Sequence, residues 1–267
     1  MSGARRLRYD VASVWGIVVA VGLILLGQAL EGGSLLSLIQ PTTALTVFGG
    51  TIGAVMLSFS RNDILRAVGA LRRVFLWNGE PPSTTVQTIV QYAIQVRKGG
   101  ILSLEALLDS IDDPFVEKAM RMLVDATSPS VLRDLLEIEA RGRVEYDEIP
   151  AKVYEAAGGY APTIGILGAA IGLIQVMQHL SDPGRLGPGI AVAFVATVYG
   201  IGSANLFFLP IGTKLRMKAR HEARRRELII EGVLAIQSGM MLRVIEEKLY
   251  GFAAQTTPAQ VRRPNAA

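Results

Sequence analysis

The residues that could do chemistry in this chain are hydroxyls and amides set in long apolar runs. Thr46, Thr51, Thr163, Gln175, Thr197, Tyr199, Ser203 and Asn205 all lie in stretches free of Asp, Glu, Lys and Arg. Such groups can replace part of the water around a small cation or relay a hydrogen bond, but they carry no charge. Ion carriers usually place an ionisable side chain at membrane depth, because a fixed charge there binds or relays the ion. None stands in these runs, so the set suits the lining of a path whose charge comes from another chain. Taken singly, each group fits equally well a side chain bonded back to its own helix or to a neighbouring one.

Other chemistries find no support. The chain has no Cys, which excludes disulfide scaffolds, thiolate metal sites and cysteine catalysis. His179 and His221 are isolated and read as interfacial and surface residues, not ligands. There is no G-x-x-x-x-G-K-[ST] loop, and Gly200-Ile201-Gly202 meets Asn205 where a dinucleotide loop needs its third Gly. No nucleophile–base pair can be assembled, so an enzyme, a cofactor and a metal are not expected.

The elements that must position these groups are legible from composition. Of the 267 residues, 50% are hydrophobic and 19% charged, against about 25% charged in soluble domains. Mean hydropathy is +0.37. Intrinsic disorder is excluded by the same apolar content. Four uncharged runs, 11–30, 42–59, 160–180 and 189–212, are each long enough to cross a hydrocarbon core of about 30 Å as a helix. Arg5, Arg6 and Arg8 precede the first run, but its apolar core exceeds that of a cleaved signal peptide, and it is expected to stay in the protein. Short connections, the second carrying the turn signal Asp182-Pro183-Gly184, pair the spans into two hairpins.

Basic residues set the orientation. Of 27 Lys and Arg, 26 fall on one side of this topology, and only Arg185 lies in a short connection on the other. That side is cytoplasmic by the positive-inside rule, with both termini on it. The net charge of +4 therefore reports topology, with no nucleic-acid partner implied.

The expected class is an all-α membrane protein: four transmembrane helices in two hairpins with a helical cytoplasmic domain. Four segments follow: 1–60, an N-terminal tail and first hairpin; 61–159, the cytoplasmic helices; 160–212, the second hairpin; and 213–267, a cytoplasmic helix and flexible tail. Asp63 is expected to cap one helix, Ser83 to start a second that ends at Lys98-Gly99-Gly100, and Ser103 to cap a third. Pro150 should kink or end a charged helix running from Ser130. His221–Leu249 reads as one amphipathic run, with a disordered tail from Ala253. Gly49–Gly53 and Gly168–Gly172 form G-x-x-x-G pairs that allow close helix approach, within the chain or between copies. Pro162 and Pro210 read either as ordinary helix boundaries or as hinges at the cytoplasmic face.

Several blocks, in order, carry a family resemblance. They are Ala12-Ser13-Val14-Trp15-Gly16-Ile17, LEGG at 30–33, FGGTIGAVMLSF in the second span, YAPTIGILGAAIGLI in the third and AVAFVATVYGIGSANLFFLPIGTKL in the fourth. IIEGVLAIQSG and EEKL follow in the tail. Through nearly its whole length the chain resembles the MotA/PomA family, membrane stator subunits of the bacterial flagellar motor.

The resemblance implies a ring of five copies around two MotB-type chains in the inner membrane. That partner's single span bears the ion-binding Asp, and the rotor protein FliG is the target of torque. It implies rotor-facing roles for Arg97 and Glu105 in the R-x-x-G-x-x-x-L-E stretch, coupling roles for Pro162 and Pro210, and an ion-path hydroxyl at Thr197. Sodium-using relatives carry Thr where this chain has Ala169. A methyl group cannot replace water around Na⁺, so the expected ion is H⁺. Gly159 stands where many relatives have an acid, and Met240-Met241-Leu242 where they show Asn-Pro. The alternative function is an ExbB/TolQ-like energiser of outer-membrane processes, whose members typically have three spans. A third reading is a membrane scaffold without ion flux.

Overall fold

The computed structural model describes residues 8–77, 81–181 and 183–256. It is helical throughout apart from a two-residue antiparallel pairing of Arg8–Tyr9 with Leu76–Trp77. The helices are α1 (Val11–Leu30), α2 (Pro41–Ser58), α3 (Arg61–Phe75), α4 (Pro82–Gly99), the short α5 (Glu105–Leu108), α6 (Pro114–Val124), α7 (Pro129–Gln178), α8 (Pro183–Ser203), α9 (Leu209–Gln237) and α10 (Leu242–Thr256). A π-turn at Ala204–Phe208 joins α8 to α9. Four of these helical stretches are long and apolar enough to cross a membrane: α1, α2, α7 and the run Leu186–Gln237.

The chain divides into two compact units. The first holds Met1–Asn78 and Glu148–Met217, the second Gly79–Asp147 and Lys218–Ala267. This grouping follows contacts, so it joins both apolar hairpins where the sequence division separated them.

The first unit is built on a seam of small residues. A side chain added at Gly165 would reach the Ala196 carbonyl at 2.8 Å, and one at Gly200 the Ala161 carbonyl at 2.5 Å. Gly172 faces Ala193, and Gly168 faces Ala196, with Thr46 and Val47 of α2 behind it. In lipid no hydrophobic drive pulls helices together, so backbones in contact supply dispersion instead. The Gly168–Gly172 pair is therefore used inside the chain, whereas Gly49 and Gly53 meet nothing within 4 Å. Helix α2 joins the seam through Thr43, Val47, Thr51 and Val55, one residue per turn on a single face. Helix α1 buries no residue of its own. It is fixed at its start, where Asp10 caps Ser13 N–H and pairs with Lys214.

The second unit has an ordinary apolar core. Ile89, Leu104, Met120, Leu123, Leu132, Leu136, Ile229 and Leu249 are all below 2% exposed. Gly232 lets α9 lie on Ile89, where a side chain would come to 2.6 Å. Asp113 caps α6 by accepting N–H from Phe115 (2.8 Å) and Val116 (3.4 Å), and also binds Arg225 at 2.6 Å. Glu231 bridges Arg133 at 2.9 Å and Lys248 at 2.6 Å.

Local expectations are corrected in several places. Ser60, not Asp63, caps α3, and Asp63 answers it in a reciprocal box: Ser60 accepts Asp63 N–H and donates to its carboxylate at 2.7 Å. Ser103 does not cap α5; its hydroxyl donates to the Gly100 carbonyl at 2.6 Å and to the Gln95 carbonyl of α4 at 3.2 Å, and a 3₁₀ turn, Ile101–Leu104, leads into α5. Pro150 is buried inside α7 and does not end it. The run 221–249 is two helices, because Gly239 takes φ +68°. Its N–H bonds the Ile236 carbonyl (3.0 Å) and the Met240 N–H bonds the Ala235 carbonyl (3.2 Å), a Schellman stop. Met240 and Met241 thus serve a helix–helix turn, Met241 offering its carbonyl to Val244 and Ile245. Helix continues through Ala253 to Thr256, and Ala253 is buried. The rest of the expected tail, 257–267, and Asp182 of the expected turn lie outside the described residues.

Two predictions follow from this packing. Gly200→Val should destabilise the chain by about 3 kcal/mol, since its neighbours are backbone atoms that cannot yield. Gly49→Ala should be neutral or slightly stabilising; detergent-unfolding midpoints would compare them. For Asp113, burial opposes ionisation, but the Arg225 guanidinium and two N–H donors outweigh it and hold the carboxyl below its usual range. Its stabilising contribution is then complete above the unfolded-state pKa of about 4 and is lost as pH falls through the lower folded value. Asp113→Asn should flatten that acid limb in pH-dependent melting.

Candidate functional site

Helices α7 and α8 run antiparallel along the seam and, together with α2 and the π-turn, carry the polar groups. Most of those groups are committed. Thr51 donates to the Val47 carbonyl (2.6 Å), Thr46 to Thr42 (3.1 Å), Thr163 to Tyr160 (2.8 Å), Ser203 to Gly200 (3.2 Å) and Asn205 to Ile201 (3.0 Å). Each satisfies a carbonyl of its own helix, the bland alternative for these side chains. The Tyr199 hydroxyl donates to the Leu38 carbonyl at 2.5 Å and accepts the Gln40 N–H at 3.0 Å. Its ring stacks on Phe48, centroids 5.8 Å apart, so Tyr199 clasps the connection between α1 and α2.

Thr197 differs. Among the described residues its half-buried hydroxyl has no hydrogen-bond partner. It sits next to Ala196 of the seam, as Ala169 sits next to Gly168 on the facing helix. Gln175 is exposed, and its backbone carbonyl meets the His179 ring at 2.9 Å. Sequence reasoning missed Thr43, which is 4% exposed with a hydroxyl that finds no partner among the described residues. The Thr43, Val47, Thr51, Val55 spacing was the available signal.

Pro162 does not end a helix, so its boundary reading is set aside; Pro210 is the second residue of α9, at the junction with the π-turn, where the boundary reading stays open. Pro162 lies inside α7, where its missing N–H leaves the Gly158 carbonyl without its helical donor. Gly158 packs on Leu209, which a side chain there would meet at 2.5 Å. Leu209 immediately precedes Pro210, so one close contact brings the two prolines' neighbourhoods together. Just above it is the π-turn. Seam residues Gly200 and Gly212 are twelve positions apart, whereas three α-turns take about eleven. The i→i+5 turn absorbs the extra residue and returns Gly212 to the seam, against Glu155 and the Ala151 carbonyl.

Below the prolines the packing turns ionic. Glu155 pairs with Arg216, and Tyr154 donates to the Ala67 carbonyl at 3.2 Å. Nothing in the sequence patterns paired these residues, which come from separate helices.

In the second unit, Arg97 occupies the last turn of α4 and Glu105 opens α5. Gly100, at φ +76°, and the Ser103 hydroxyl fix the corner between them, and Leu104 anchors it at 1% exposure. Both charged side chains are exposed, without an ion-pair partner among the described residues. Such a rigid corner with two uncommitted charges is suited to meet another protein. No cluster of His, Asp or Glu able to hold a metal occurs among the described residues.

Comparison with known proteins agrees across the chain. The model of the MotA/TolQ/ExbB proton channel family matches residues 107–228, and that of the motility protein A N-terminal region matches 14–97. Motility protein A of Bacillus subtilis (strain 168) is 34% identical over 244 residues, 90% of this chain and 89% of that one. Chemotaxis protein PomA of Vibrio alginolyticus is 32% identical, over 91% and 95% of the two chains. The solved structure of C. jejuni MotAB superposes with a TM-score of 0.86 at 32% identity, covering 91% of this chain and 95% of that chain. The flagellar MotAB stator complex from Bacillus subtilis also gives 0.86, at 33% identity over 96% and 100%. With such identity carried through nine-tenths of each sequence, and four helices long and apolar enough to span a bilayer, this chain belongs to the MotA/PomA family of multi-pass flagellar motor stator subunits.

Proposed function

We propose that the chain, with a MotB-type partner, forms a proton-conducting complex that turns ion flow into rotor torque through contacts with FliG. The observation that carries this reading is the agreement along almost the whole chain with motility protein A and with MotAB stators. The uncharged interior of the spans supports it, since the ion-binding carboxylate then comes from the partner. In this reading five copies surround two partner chains in the inner membrane, with both termini in the cytoplasm. Each charge moved through 100 mV releases about 2.3 kcal/mol.

Thr197 lines the ion path, supported by its uncommitted hydroxyl, and Ala169, beside Gly168 of the seam, contributes a methyl group suited to H⁺, not Na⁺. Pro162 and Pro210 couple the ion step to helix movement, supported by the meeting of Gly158 and Leu209. Arg97 and Glu105 present the rotor-facing charges. No cofactor and no catalytic group enter this mechanism.

The decisive experiment is the swimming speed of a strain with this chain and its native partner as sole stator. Speed should collapse with a protonophore and ignore Na⁺. Dependence on Na⁺ would overturn the ion, and normal swimming after deletion, with a TonB-type partner bound instead, would favour an ExbB/TolQ-like energiser. Thr197→Val should lower ion flux through an unplugged complex several-fold without moving the unfolding midpoint, because no protein hydrogen bond is lost. Arg97→Glu should cut torque in viscous medium while stator assembly stays normal, and Pro162→Ala should impair rotation more than complex formation.

A further inference from the structure

In the second unit, α7, α9 and α10 leave a groove of about 410 Å³ between them. Its base is apolar: Ala140 and Ile230 are buried there, and Val144, Ala223 and Phe252 line it half-buried. Apolar surface left open to water is unfavourable, so a trough of this kind suits another segment lying in it.

Charge along the rim narrows the occupant. Three carboxylates, Glu137, Glu227 and Glu231, stand against two guanidinium groups, Arg133 and Arg141. Glu137 meets Arg133 at 3.4 Å and Arg141 at 3.5 Å. Glu231 meets Arg133 at 2.9 Å and Lys248 at 2.6 Å. Glu227 is exposed, and its carboxylate has no ion pair or hydrogen bond among the described residues. The groove thus offers a cation one uncommitted carboxylate beside an apolar base.

A segment of matching chemistry starts close by. Phe252 belongs to α10, which ends one turn later at Thr256. The sequence continues Thr257-Pro258-Ala259-Gln260-Val261-Arg262-Arg263, with one branched apolar side chain, two guanidinium groups and no carboxylate. At about 3.3 Å per extended residue, the five positions from Thr256 to Val261 reach about 16 Å, more than the spacing of about 10 Å between packed helices. So short a tether holds a segment at an effective concentration on the order of millimolar. Few contacts then suffice, and a separate chain competes poorly.

We propose that residues 257–267 turn back at Pro258 and occupy this groove of their own chain, Val261 against the base at Ala223 and Phe252 and the Arg262–Arg263 pair on Glu227. The segment then ties α10 to α7 and α9. This rests on the packing of the second unit and on neither the ion nor the rotor.

The absence of Cys allows a direct test in the full chain assembled with its MotB-type partner. Val261→Cys is combined with Ala223→Cys, treated with a short bis-maleimide, and read by gel mobility and by mass spectrometry of the joined peptides. Val261→Cys with Ile138→Cys is the control, since Ile138 is 63% exposed and stands about 160° around α7 from Ala140. Joining within one chain should be at least fivefold greater with Ala223→Cys than with Ile138→Cys. Glu227→Lys should lower it at least threefold, and Arg262→Glu with Arg263→Glu should restore it in that background. Joining between chains, seen as a dimer, would overturn the proposal by assigning the groove to a neighbouring copy. Equal joining at the two positions would overturn it by showing a segment without a preferred site. Joining at neither would overturn it by leaving the groove to a different partner, and indifference to Glu227→Lys would overturn the charge contact. Val144→Cys provides a second reporter should Ala223→Cys fail to assemble.

Discussion

Backbone contact between α7 and the α8–α9 run is the interaction on which the first unit rests. Glycine and alanine face each other turn after turn, at Gly172–Ala193, Gly168–Ala196 and Gly165–Gly200, and below them Gly158–Leu209 and Gly212–Glu155. Two consequences follow from a seam with almost no side-chain volume. The helices are held by shape alone, so a single methyl group in the wrong place cannot be accommodated by rotamer changes. The larger apolar side chains, excluded from the seam, point outward, which is why Ile166, Leu167, Phe194 and Val198 are exposed on these helices. Such surfaces belong against lipid or other chains.

Polar groups around the seam show how a membrane helix spends its hydroxyls. Five of the eight at depth quiet a carbonyl on their own helix, and Tyr199 secures a loop. Of the two left over, Gln175 is exposed and Thr197 keeps an uncommitted hydroxyl; the buried Thr43, outside that set, also finds no partner among the described residues, and burying a hydroxyl so is unfavourable. At the lower end of the seam, Glu155–Arg216 and Asp10–Lys214 mark where water can again solvate charge.

Much of this was legible in the sequence, for a physical reason. Apolar length and missing charge are one-dimensional properties, so the four spanning helices could be read directly from runs such as 11–30 and 189–212. Motif blocks gave the family for a similar reason, since they sit in the same order as in the relatives. What escaped was whatever depended on contacts between distant segments. Pro150 continues α7 because the buried Pro150, Ala151 and Val153 are held by packing that outweighs a local helix breaker. Asp113–Arg225 and Glu155–Arg216 join residues 61 or more positions apart, beyond any periodicity. The Gly239 stop was available as a glycine after an apolar run, but the amphipathic pattern on either side concealed it. The roles of Arg97, Glu105, Pro162, Pro210 and Thr197 come from resemblance, and the fold contributes only their surroundings.

The π-turn has a consequence for how this chain can change over time. Because one extra residue between Gly200 and Gly212 restores the seam, the phase of everything from Gly212 to Met217 is set by the number of residues above it. A loop tolerates the gain or loss of a codon. Here the loss of one between 201 and 211 would straighten the turn into ordinary helix and rotate Gly212 and Leu215 off the seam by about 100°. Length in this segment is therefore as strongly constrained as identity, and the joint between α8 and α9 should drift by substitution and hardly at all by insertion or deletion.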